Sequence, residues 1–108
     1  MEKPKVLIEL YLASPPTFKC KEMVRIAEEV SKEFPDRVLI RIYYKGQPIP
    51  EDSSPGFRAS LKSIGIPTIF IDGTWIASTN PPPYEKVRDF VSEHIKMIDE
   101  YFKEKNGS

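Results

Sequence analysis

The sequence predicts an α/β fold, with helices covering both faces of one four-stranded mixed sheet, and three observations carry that prediction. Two nearly continuous β-rich runs, Lys5 to Leu12 and Arg37 to Tyr44, flank a stretch of helical periodicity. Two further β-rich runs meet at Asp72-Gly73, a dipeptide that favours the positive φ angles of a tight hairpin. A last amphipathic stretch completes the order β-α-β-α-β-β-α.

The first run, KVLIELYL, is apolar at almost every position, the pattern of a strand buried on both faces. It belongs in the middle of the sheet. From Thr17 the apolar residues Cys20, Met23, Ala27, Val30 and Phe34 follow a period near 3.6. Thr17 is a natural N-cap and Pro35 a stop, so a helix is expected over about Thr17 to Phe34. The second run, RVLIRIYY, should lie parallel to the first, because a helix between two such strands is the usual right-handed crossover. Lys45 to Ser54 holds Gly46, Pro48 and Pro50 without periodicity and reads as a loop. Ser54 then caps a short helix that opens on Pro55, carries Phe57, Leu61 and Ile64 on one side, and is expected to end at Gly65. IPTIFIDGTWIAS forms the antiparallel hairpin. After Pro81 to Pro83, the residues Val87, Phe90, Val91, His94, Ile95, Ile98 and Phe102 mark one face of a terminal helix. Its end, Lys103 to Ser108, is expected to fray. The sheet should have the first strand at its centre, the second on one side and the hairpin on the other.

The 108 residues suit one domain spanning the whole chain, 1–108. With 40% hydrophobic and 30% charged residues, the composition is that of a globular protein. Sixteen Lys and Arg balance sixteen Asp and Glu, which leaves no charge excess to attract a nucleic acid or an anionic lipid surface. No run reaches the length of a membrane span. The apolar stretch from Val6 is short and interrupted by Glu9, so it reads as a strand rather than a secretory signal, and the expected compartment is cytosolic. Few side-chain amides beside heavy Glu and Lys usage lean toward a thermophile. One cysteine cannot make an intramolecular disulfide, nor with one histidine complete a four-ligand zinc site. No metal and no bound cofactor are expected.

Ligands of open α/β sheets bind at the carboxyl ends of the strands, and here that edge carries Ala13 to Cys20. Cys20 falls in the first turn of the first helix, where free N–H groups, the helix dipole, Lys19 and Lys21 all favour a thiolate. A lowered thiol pKa is expected. The alternative is a core thiol, since Cys20 shares a stripe with Met23 and Ala27. Ile66-Pro67 opens a strand just after a glycine, a position that accommodates a cis peptide bond or simply ends a loop.

TFKCK at a helix start, a second strand and helix, GIPTIFIDG, and a last helix approached through PPPYEKVRDF together resemble the thioredoxin superfamily over nearly the whole chain. Without a further strand and helix ahead of the first strand, the chain is similar to the shorter, glutaredoxin-sized form. The resemblance implies that GIPT marks a cis-proline loop in which Ile66, Pro67 and Thr68 dock a substrate. It also implies that Cys20 matches the second cysteine of the two-cysteine motif, with Thr17 where the first should stand. A dithiol enzyme needs one thiolate to attack and another to resolve, so only monothiol exchange at Cys20, with Thr17 as hydroxyl partner, remains. Its partner would be a small thiol or a thiol- or disulfide-bearing protein. The competing class is a module that kept the fold and groove for peptide or protein binding and lost turnover. T-x-x-C is also similar to the active loop of peroxiredoxins, in which the matching Cys20 would be oxidised by peroxide, although the sequence assigns neither Arg25 nor Arg58 as the activating arginine.

Other chemistry is poorly supported. His94 lies on the apolar stripe of the last helix and reads as structural rather than as a base for Cys20. Glu28-Glu29 and Glu51-Asp52 read as solvated surface, and no glycine loop cradles a phosphate. Trp75, Tyr43, Tyr44 and Tyr84 either offer a peptide-binding surface or cover sheet edges, and Asp72-Gly73-Thr74 is a turn. The loop Lys45 to Ser54 either overhangs the active edge or only connects.

Overall fold

Alternation along the central strand decides what packs where. The computed structural model describes residues 3–105 and contains β1 (Val6–Leu12), α1 (Phe18–Glu33), β2 (Val38–Tyr44), α2 (Pro55–Ser60), β3 (Thr68–Ile71), β4 (Thr74–Ser78) and α3 (Tyr84–Lys105). The sheet order is β2-β1-β3-β4. β1 runs parallel to β2, from Val6↔Val38 to Leu12↔Tyr44, and antiparallel to β3, from Ile8↔Ile71 to Tyr11↔Thr68. Val6, Ile8, Leu10 and Leu12 join Ile69 and Ile71 in one core with Cys20, Met23, Ala27 and Val30 of α1 and Val87 and Val91 of α3. On the other face Tyr11 and Phe70 meet Phe57 of α2, whose ring lies 4.8 Å from that of Tyr43 and 5.4 Å from that of Phe70.

Glu9 also points to the α2 face, and it is fully buried. Its carboxylate accepts hydrogen bonds from the Tyr43 hydroxyl at 2.7 Å, from the Ser54 N–H at 2.9 Å and from the Ser54 hydroxyl. Burial first, and then the Glu9 carboxylate, push the Tyr43 phenol up to about 12. The acid that interrupts the apolar run is therefore an anchor for the end of the loop 45–54. Arg41 adds a contact to Asp52 at 2.8 Å. Arg58 bonds the Ser53 hydroxyl and the carbonyls of Pro50 and Glu51. The loop leaves the rim at Lys45, whose N–H donates to the Leu12 carbonyl, and ends on the α2 face at Ser54, whose N–H donates to Glu9.

The second helix stops earlier than its periodicity suggests, at Ser60 instead of Gly65. Leu61 to Ser63 continue only as turns closed by short-range bonds such as Ser63 N–H to Ser60. Gly65 is drawn toward the hairpin instead, its N–H donating to the Ser78 hydroxyl at 2.8 Å and its carbonyl accepting from the Thr68 hydroxyl at 2.6 Å. Lys5 and Arg37 lie one residue outside their strands, and Ile66 and Pro67 precede β3. α3 stays helical through Lys105; the rest of the segment expected to fray, residues 106–108, lies outside the described residues.

Asp72 and Gly73 turn the hairpin with φ of 47° and 79°. The Asp72 carboxylate accepts from the Leu7 N–H at 2.8 Å and contacts His94 Nδ1 at 2.9 Å. His94 thus latches α3 to the end of the sheet opposite the β1 carboxyl edge. Close by, the N-terminus of α2 meets the same turn: a Cβ on Gly56 would sit 1.9 Å from the Gly73 carbonyl oxygen. Since both sides of that contact are backbone, Gly56→Ala is expected to destabilise the protein by about 1–3 kcal/mol. Urea unfolding checks this; an unchanged midpoint would mean that α2 does not sit against the hairpin.

Candidate functional site

Thr17 is the residue from which the site is assembled. With φ −83° and ψ 175° it is extended, as an N-cap must be, and its side-chain oxygen accepts from the Cys20 N–H at 3.3 Å. Its hydroxyl also faces the Cys20 sulfur at 3.2 Å, where it can donate. The Ala13 N–H, just beyond β1, donates to the same sulfur at 3.4 Å. Cys20 has 0% exposure, while residues 14–19 around it are all exposed. Burial pushes the thiol pKa up and is the largest single influence. The Thr17 hydroxyl and the Ala13 N–H, with smaller backbone contributions, together outweigh it and hold the pKa below its ordinary 9.0.

The register brings the second segment to the same rim. Tyr11 pairs with Thr68 at the last step of the register, so Ile66 and Pro67 enter β3 beside the carboxyl end of β1. Both Ala13 and Ile66 pack against the core that contains Cys20. The Ile66–Pro67 peptide bond is cis, as is Ser14–Pro15 in the loop before α1. Pro67 is buried and its carbonyl accepts from the Thr79 N–H at 2.7 Å. Thr68 is fully buried, its hydroxyl engaged with Gly65 and Ser78, so its side chain shapes the loop from within and presents nothing to a ligand.

Phe18, which the sequence reading passed over, is 81% exposed beside Thr17. It borders a groove of about 580 Å³ lined also by Lys19, Ile26, the prolines 81–83 and Tyr84, and the Lys19 ammonium donates to the Asn80 side-chain oxygen at 2.7 Å. A large aromatic next to a capping residue was the available signal. Of the other aromatics considered, Tyr43 is buried, Tyr44 packs against the core, Tyr84 bonds Glu33, and Trp75 is 45% exposed while stacked on Phe70. Arg25 pairs with Glu22 within α1, and Arg58 is engaged with the 50–53 segment, so neither contacts the sulfur. Among the described residues no group of three or more His, Cys, Asp or Glu could hold a metal, and no helix is long and apolar enough to cross a membrane.

No family model and no curated protein matches the chain. Solved structures do. One is chloroplastic thioredoxin z, a structure that defines a novel type-specific target recognition; it is 22% identical, covers 82% of this chain and 77% of its own, and superposes with a TM-score of 0.54. Another is the reduced thioredoxin pre-protein of Schistosoma mansoni, 16% identical over 85% of this chain and 81% of its own, with a TM-score of 0.50. At these identities the likeness is one of fold, and it agrees with the element order and the β2-β1-β3-β4 sheet: the chain has a thioredoxin-like α/β fold.

The lowered thiol pKa links Cys20 to stability. Between the folded value and the ordinary 9.0 the unfolded chain holds more proton than the folded one, so the unfolding free energy rises with pH across that window. The gain is complete above 9.0 and is lost as the pH falls through the folded value. Thr17→Ala is expected to cost about 1 kcal/mol through loss of the cap and to flatten the rise. Urea titrations of both proteins at pH values on either side of 9.0 measure it; parallel curves would mean that Thr17 does not stabilise the thiolate.

Proposed function

We propose that this chain is a docking protein on the thioredoxin fold, which takes an extended segment of a thiol- or disulfide-bearing protein along the Ile66-Pro67 rim by strand addition and performs no turnover in its closed state. The reading rests on one observation: the sole thiol, Cys20, has 0% exposure beneath Thr17. Exchange requires a thiolate in line with a disulfide. In the two-cysteine motif that TFKC resembles, the exposed position would hold the attacking thiol, and here it holds a hydroxyl, which forms no mixed disulfide. Exposed Phe18 and the groove beside it supply apolar surface next to the rim. The reading needs no cofactor and suits a reducing, cytosolic setting, where a lone thiol stays reduced.

A second reading, monothiol exchange at Cys20, is favoured by the lowered thiol pKa and requires the first turn of α1 to open before the sulfur meets a partner. The peroxidase reading finds no support, since neither Arg25 nor Arg58 lies against the sulfur. Thr17→Cys separates the readings. The docking reading expects no insulin-type disulfide reductase activity from the parent and a gain in the variant, which restores an exposed thiol beside an intact rim. Activity in the parent would favour exchange, and no gain in a folded variant would mean that Cys20 does not occupy the second-cysteine position.

A further inference from the structure

β2 is an outer strand of the sheet, seven residues long, with no proline and one charged side chain. Arg41 carries that charge and is already matched by Asp52 of the same chain. Leu39 and Ile42 are 44% and 37% exposed on opposite faces of this edge. Edge strands of monomers usually carry lysines, prolines or bulges that discourage pairing, and β2 has none of these. The opposite edge differs: β4 is five residues long and its pairing with β3 is irregular between Ile69 and Phe70.

Backbone polarity along β2 follows from its ends. The Arg37 carbonyl accepts from Val6 and the Lys45 N–H donates to Leu12, so odd-numbered residues turn their polar groups toward β1. Val38, Ile40, Ile42 and Tyr44 turn theirs outward, and of these the Tyr44 carbonyl is engaged by the Gln47 N–H. Val38, Ile40 and Ile42 thus offer three N–H donors and three carbonyl acceptors in alternation, a set that is complementary to itself when reversed.

We propose that β2 pairs antiparallel with β2 of a second copy of this chain, about a two-fold axis at Ile40, to give a continuous eight-stranded sheet. Centring on Ile40 matches Val38 with Ile42 of the second copy and Ile40 with its own equivalent, using the six outward groups of these three residues and leaving the Tyr44 turn intact. It also sets Leu39 opposite the stem of Arg41 of the other copy and Ile42 opposite Val38, so both exposed side chains are covered. Charge rejects the neighbouring register, centred on Arg41. That arrangement would oppose Arg41 to Arg41 and Arg37 to Lys45, and like charges directly across a strand pair are destabilising. The isologous contact closes on itself and ends at two chains.

Sedimentation equilibrium over a concentration series, together with cross-linking through one introduced cysteine while the native Cys20 stays buried, tests this. The mass is expected to rise from one chain to two and to stop there. Ile40→Cys is expected to form a 40–40 disulfide between chains on mild oxidation, since directly paired residues are about 5.5 Å apart between Cα atoms. Ile42→Cys is expected not to cross-link with itself, because its equivalents lie four residues out of step in this register. Ile42→Lys is expected to remain folded by circular dichroism and to lose the dimer. A chain that stays monomeric at every concentration would overturn the proposal, as would self-linking at 42 as fast as at 40, or a dimer unaffected by Ile42→Lys.

Discussion

One sulfur ties the end of the central strand to the start of the first helix. The Ala13 N–H and the Thr17 hydroxyl converge on Cys20, one from the residue just after β1 and the other from the helix cap. The loop between carries Pro15 and Pro16 and is exposed throughout residues 14–17, so these bonds hold its inner side. With the sulfur fixed there, the helix start, the strand end and the Ile66-Pro67 segment share one rim. The same bonds have a second consequence. They stabilise a thiolate electrostatically while the fold denies it solvent, so a favourable charge state and an accessible nucleophile are separated in this chain.

The strand register separates two kinds of buried chemistry. Successive residues of β1 face opposite sides, so Cys20 belongs to the α1 and α3 core while Glu9 belongs to the aromatic layer under α2. Glu9 is therefore no proton partner for the thiol. It holds Ser54 and Tyr43, and a carboxylate buried with three donors is tolerated where one without them would be costly. The 45–54 loop and α2 depend on that anchor for their position.

Much of this was legible in the sequence because it rests on local chemistry. The β-rich runs, Thr17 and Ser54 as caps, and Asp72-Gly73 as a turn all act within a few residues, and the fold follows from their order. What escaped depends on partners distant in the chain. Ile64 continues a helical period, yet α2 ends at Ser60 because Gly65 is held by Ser78 and Thr68. Glu9 looks like an interruption until Ser54, forty-five residues later, is seen to bond it. Thr68 matches the expected docking segment by sequence, but its hydroxyl is engaged inside the loop. Cys20 was open to two readings, reactive or buried, and its surroundings combine features of both: a lowered pKa within a sealed site.

Sealing of the sulfur is the point on which the functional reading turns, and thiol alkylation measures it directly. Comparing the iodoacetamide rate at Cys20 in native protein with that in urea, at equal thiolate fraction, isolates access from ionisation. A native rate lower by orders of magnitude and rising with local opening is the expected result. A native thiol that reacts as fast as the unfolded one would contradict the closed site and return Cys20 to the role of an exposed nucleophile.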